Sequence, residues 1–93
     1  MLEMMTEQRS YKWSENGRRL KQAREATGLS QEKAGSQVGV SGHMVWFWEA
    51  GRSMPRADRL SSLATLYGVS VDWLLGQEKD GLTTEVNAIW EEA

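Results

Sequence analysis

Cysteine is absent from this chain of 93 residues, so neither a disulfide frame nor a thiolate metal site can form. Histidine occurs once, at His43, which excludes a cluster of imidazole ligands within one chain. No segment approaches the roughly 20 consecutive apolar residues needed to cross a bilayer. The opening stretch MLEMMTEQRSYKW has no long apolar run and carries Glu3 and Glu7, against a secretory signal. These absences set the expectation of a soluble cytoplasmic protein with no membrane partner. No paired carboxylates stand in an apolar context, and Glu91–Glu92 reads as an exposed terminal pair. No enzyme activity, metal, cofactor or small-molecule substrate is therefore expected. Strand-type alternation is nearly absent and no internal repeat is found, so the chain reads as all-α.

What is present fits one domain with a modest core and a short appendage. The net charge of −2 counts against a polyanionic partner until its distribution is read. Residues 14–76 hold eight basic and six acidic side chains, a balance of +2. Residues 77–93 hold one basic and five acidic side chains, a balance of −4. Affinity for phosphate follows the local patch rather than the total. A slightly basic body with an acidic tail predicts modest nucleic-acid affinity per chain, with dimerisation supplying the rest.

Helix signals recur along the body. Residues 1–13 show no clear period and read as an N-terminal arm. Ser14 is a good N-cap for a first helix over 15–27, with Leu20, Ala23 and Arg24 on one face and Gly28 as the stop. Trp13 is placed to staple back near Gly17 or Leu20. Ser30 caps a second helix over 31–38, in a capping box left incomplete by Lys33. A third helix runs from 41 to about 50 and stops at Gly51. Pro55 fixes the loop before a fourth helix over 57–67, where Leu60, Leu63, Ala64 and Tyr67 form a buried stripe. Ser70 caps a short fifth helix over 71–75. A hydrophilic linker, QEKDG, leads to a last short helix beginning after Thr83 or Thr84, with Val86, Ile89 and Trp90 on one face.

The segment over 31–50, QEKAGSQVGVSGHMVWFWEA, carries the most information. Ala34 and Gly35 are small enough for two helix backbones to approach closely. Gly39 suits the left-handed turn that ends a helix. Val40 plugs the corner, Ser41 caps the next helix, and Val38, Val45 and Trp48 point to a shared core. This set at this spacing is the skeleton of a helix-turn-helix.

The runs RRLKQAREATGLSQ, GVS, VWFWEAGRSMP and LATLYGVSVDWLLG together resemble the Cro/C1-type (Xre-like) helix-turn-helix regulators of bacteria and phages. The resemblance covers roughly residues 14–76. It implies a five-helix, phage-repressor-like domain, here with a short extra C-terminal helix in the 77–93 tail, serving possible dimerisation. It implies a homodimeric repressor, of phage or prophage type, that binds palindromic double-stranded DNA.

The same resemblance assigns roles. Gln31 would donate its amide to a phosphate at a helix N-terminus. The base-reading positions fall on Gly42, His43, Met44, Trp46 and Phe47, and the helix-capping Ser41 is counted with them among the DNA-binding residues. Here the chain departs from the family, whose members usually carry Gln, Arg, Asn, Ser or Lys there. Only His43 offers hydrogen bonds to base edges. Gly42 would allow close backbone approach, and Met44 and Phe47 would touch thymine methyl groups, although for Met44 a place at the core edge is the preferred reading. Trp46 and Phe47 cannot both face a core already filled by Val45 and Trp48, so at least one is exposed, for DNA or for a protein. Arg52 and Ser53 lie in the loop expected to follow the DNA backbone, with Arg56, Lys12 and Arg9 as weaker phosphate contacts and Arg18 and Arg19 solvated. Arg24 and Glu49 match an ion pair joining the first and third helices. Trp73, Leu74, Val86, Ile89 and Trp90 are the expected dimer interface. A second reading keeps the fold but makes it a protein-interaction module, with a toxin or an antirepressor as partner.

Overall fold

The computed structural model describes residues 11–77, which form five helices and no strand. They are α1 (Ser14–Ala26), α2 (Gln31–Val38), α3 (Gly42–Glu49), α4 (Ala57–Tyr67) and α5 (Val71–Leu74). Residues 1–10 and 78–93 lie outside this description, and with them Val86, Ile89 and Trp90 of the expected dimer interface.

Capping explains most of the boundaries. The Ser30, Ser41 and Ser70 hydroxyls accept hydrogen bonds from the backbone N–H groups of Lys33, Met44 and Trp73, at 3.0, 3.1 and 2.9 Å. Each satisfies one of the donors a helix start leaves open. The start of α1 differs from the sequence reading. Trp13, not Ser14, is its N-cap, and no side chain caps it. Residues 11–13 form a turn whose carbonyls do that work: Ser14 N donates to Tyr11 O at 3.0 Å and Gly17 N to Trp13 O at 2.8 Å. At the other end of α2, Gly39 adopts φ +82° and Val40 N donates to Gly35 O at 2.8 Å, closing the turn. Arg59 of α4 adds a side-chain cap there, its Nη1 donating to Val38 O at 2.9 Å.

The core draws on all five helices. Leu20 and Ala23 come from α1, Ala34 and Val38 from α2, Val45 and Trp48 from α3, Leu60 and Leu63 from α4, and Leu74 from α5. Burying each large aliphatic side chain contributes about 1.5–3 kcal/mol against exposure. Leu74 is 0 % exposed within this single chain, so it is core and not a dimer contact. Trp73 is likewise engaged within the domain. Arg19 lies over its ring at 4.9 Å and donates from Nη1 to its carbonyl at 3.0 Å, while Asn16 Nδ2 donates to Leu74 O at 2.9 Å. Two side chains of α1 thus satisfy the last carbonyls of α5, and Arg19 is tied down rather than solvated.

Tyr67 closes the core beside α3 and α1. Burial first, then the negative charge of Glu49, push its phenol up from 10.0 to about 12, against the opposing pull of Arg24. The folded chain therefore holds this proton where the unfolded chain has lost it. Stability is fully present below pH 10 and falls as pH rises towards about 12. The expected slope is about 1.4 kcal/mol per pH unit, measured by denaturant unfolding across that window. Tyr67→Phe should flatten it.

Candidate nucleic-acid interface

The turn between α2 and α3 brings two helix N-termini side by side. Three glycines set how close the helices lie. A Cβ on Gly35 would stand 2.7 Å from Val40 O and 2.8 Å from Ser41 O. One on Gly42 would stand 2.9 Å from Glu32 Cα and 3.1 Å from Glu32 N. Gly42 was expected to make room for DNA; in the structure its missing side chain makes room for the first turn of α2. A Cβ on Gly17 would meet Glu49 O at 2.5 Å, so α1 crosses the end of α3 backbone to backbone. Between the two N-termini runs a surface groove of ≈ 660 Å³ lined by Gln31, Glu32, Ser41, Gly42, His43 and Trp46. Both helix dipoles place their positive ends there, which favours an anion.

A buried ion pair holds α3 from behind. Arg24 donates from Nε to Glu49 Oε2 at 2.6 Å and from Nη2 to Glu49 Oε1 at 3.0 Å. Its Nη1 donates to Leu29 O at 2.8 Å. The two side chains are only 9 % and 4 % exposed. Hydrogen bonding to the carboxylate raises the Arg24 pKa above its ordinary value, against the lowering by burial. Gln31 joins the same cluster, Nε2 donating to Glu49 Oε1 at 3.0 Å. The start of α2, the end of α3 and the last turn of α1 are thus fixed by one carboxylate.

The outward side of α3 is aromatic. His43 lies 5.7 Å from Trp46 at 15° and 5.4 Å from Phe47, ring centre to ring centre. Trp46 and Phe47 are 5.7 Å apart. Trp46 is 41 % exposed and Met44 39 %, whereas Phe47 is half-buried. Met44 therefore stands further out than a core-edge residue, bordering a recess with Val40, Trp48 and Met54. Ser53 borders that recess too and is half-buried. Arg52 is exposed, its guanidinium 5.6 Å from the Trp46 ring and 4.9 Å from the Tyr11 ring.

A helix-turn-helix domain family matches residues 15–74. The chain belongs to that family. Among curated relatives, this helix-turn-helix protein is 32% identical over 73 residues to the HTH-type transcriptional regulator ImmR of Bacillus subtilis (strain 168). It is 39% identical over 62 residues to the uncharacterised HTH-type transcriptional regulator YobD of the same organism. These matches span 78% and 67% of the chain but only 58% and 55% of the relatives, so the chain spans little more than half their length. Among solved structures, it resembles the phage P22 c2 repressor, crystallised in complex with synthetic operator 9T in the presence of Tl+. That match has a TM-score of 0.65 and 28% identity, covering 68% of this chain and 96% of the repressor. The fold is that of a phage-repressor, Cro/C1-type domain.

Within this helix-turn-helix domain, Gln31, Ser41, Gly42, His43 and Trp46 share the groove, and Arg52 adjoins it through Trp46. Ser53 stands apart from it, and Trp73 and Leu74 belong to the α1–α5 contact. The other described arginines are engaged elsewhere. Arg18 pairs with Glu15 at 3.2 Å and Arg56 with Asp58 at 3.3 Å, both on the surface, where such pairs contribute little. Tyr11 was missed by reading the sequence, since an arm without a period gives no sign that its ring meets Arg52. No helix among the described residues is long and apolar enough to cross a membrane.

Proposed function

We propose that this chain is a sequence-specific, DNA-binding transcriptional regulator, acting as a homodimeric repressor on a palindromic operator in the cytoplasm. The observation that carries the reading is the groove between the paired N-termini of α2 and α3, with α3 anchored behind it by Arg24 and Glu49. Likeness to a repressor crystallised with a synthetic operator supports it.

In this reading α3 enters the major groove, and two chains set their α3 helices about 34 Å apart on one face of the duplex. Phosphates meet the helix N-termini, Ser41, the loop at Arg52 and Ser53, and the second N–H of the Gln31 amide, whose first is given to Glu49. Base edges meet His43, Met44 and Phe47. With one hydrogen-bonding side chain among these three, apolar contact with thymine methyl groups takes a large share of the readout. Repression is steric, by occupying DNA that polymerase needs.

The test is binding of the purified chain to the DNA upstream of its own gene, at two salt concentrations, against random duplex. Specific, salt-sensitive binding with two chains per site is expected. His43→Ala or Phe47→Ala should alter the preference between sites. A chain that binds its upstream DNA no better than random duplex rejects the reading and leaves the aromatic face of α3 as a surface for a protein partner.

A further inference from the structure

Among the described residues, Arg52 is the one arginine whose guanidinium donates to no described acceptor. Arg18 and Arg19 reach Glu15, Arg24 reaches Glu49, Arg56 reaches Asp58, and Arg59 reaches the Val38 carbonyl. Arg52 is held by aromatic faces instead, 4.9 Å from the Tyr11 ring and 5.6 Å from the Trp46 ring. A ring face attracts a cation without consuming an N–H. With respect to the described residues, all five donors of the guanidinium fork therefore remain for an outside acceptor.

The surroundings give the cation a fixed place. Its backbone N–H donates to Phe47 O at 3.2 Å, so Arg52 continues directly from the end of α3. Trp46 is in turn braced by His43 and Phe47, each 5.7 Å from it. Tyr11 is set by the turn whose carbonyl receives Ser14 N. A long, exposed arginine ordinarily loses rotamer freedom when it grips a ligand. Here part of that ordering is already in place in the free chain.

We infer that Trp46 and Tyr11 are positioning residues that hold Arg52 as a preformed bidentate donor to a phosphate of the duplex backbone. Trp46 then acts through Arg52 rather than by reading a base. This rests on the DNA-binding reading above, and it adds a role for two rings that touch no base. Fork-to-phosphate pairing is the geometry for which arginine is suited and lysine is not.

The test is a double-mutant cycle in the full chain, with affinity measured for the upstream duplex and for random duplex across a salt series. Arg52→Ala should weaken both duplexes by a similar factor and lower the salt slope by about one. Trp46→Leu should weaken both by about two- to fivefold, the worth of one exposed cation–π contact. Trp46→Phe, which keeps a ring face, should recover most of that. In the Trp46→Leu background, Arg52→Ala should cost clearly less than it does alone. Additive effects overturn the inference. So does a Trp46→Leu chain whose preference between duplexes changes while its salt slope stays. NMR of the free chain separates this failure from that of the DNA reading. Arg52 side-chain protons shifted upfield by the two rings, and released in Trp46→Leu, establish the packing without DNA. Unshifted protons in the unaltered chain overturn the inference directly. Shifted protons in a chain that binds no duplex reject the DNA reading instead, and the phosphate role with it.

Discussion

Glu49→Ala is expected to destabilise this domain by about 3–5 kcal/mol, because it strands the Arg24 guanidinium in a site only 9 % exposed. The carboxylate accepts from Arg24 Nε, Arg24 Nη2 and Gln31 Nε2, and no other acidic side chain among the described residues is paired with Arg24. A small domain has about 5–15 kcal/mol in all, so the loss is a large share of the whole. The pair itself is not a large net stabiliser, since both charges left water to form it. Replacing both partners at once, as Arg24→Met with Glu49→Leu, should therefore cost much less than Glu49→Ala alone. Urea unfolding of the single and double variants decides the matter. If Glu49→Ala costs less than about 1 kcal/mol, the pair behaves as a surface pair does and the burial argument fails. A second readout comes from Tyr67. Its phenol is raised first by burial and next by the charge of Glu49. Glu49→Gln should move its titration part of the way back towards 10.0 and leave the burial effect in place.

The helices and turns were legible because local chemistry decides them. Serine before a helix and glycine after one act through bonds within a few residues, and Ser30, Ser41, Ser70, Gly39 and Gly68 behave accordingly. The start of α1 was misread for the same reason. Ser14 has the chemistry of a cap, but the turn at residues 11–13 supplies backbone carbonyls first. What the sequence hides is long-range. A glycine inside a helix reads only as a weak helix former. That Gly17 faces the Glu49 carbonyl and Gly42 faces Glu32 depends on how three helices cross. Arg19 was read as solvated and nothing in the sequence singled out Asn16 or Arg59, yet each donates to a backbone carbonyl 21 to 58 residues away. Leu74 carries the apolar character of either a core or an interface, and only the packing of α5 under α1 assigns it to the core. The Tyr11–Arg52–Trp46 cluster joins an arm, a helix and a loop that no spacing rule connects.

Gly51→Ala is expected to cost more than Gly28→Ala although the two backbones are alike. Gly51 has φ +80° and Gly28 has φ +78°, so an alanine at either site pays the same left-handed strain, about 1–2 kcal/mol. The difference lies in what a Cβ meets. At Gly28 nothing lies within 4 Å. At Gly51 the Cβ would stand 2.7 Å from Ser14 Cα, 2.9 Å from Ser14 N and 3.1 Å from Trp13 C. These are backbone atoms at the start of α1 and cannot swing aside as the tip of a side chain does. Overpacking of this kind adds about 1–3 kcal/mol, so Gly51→Ala should total roughly 2–5 kcal/mol. Thermal unfolding of the two variants side by side isolates the contact from the strain. Equal losses would mean that α1 gives way freely and that its docking on the end of α3 is soft. The larger loss at Gly51 should carry a functional mark as well. Pushing Trp13 and Ser14 outward moves the turn that sets Tyr11, next to the residue that Tyr11 holds. A Gly51→Ala chain that still folds should then lose affinity for every duplex alike, as Arg52→Ala does, while Gly28→Ala leaves affinity unchanged.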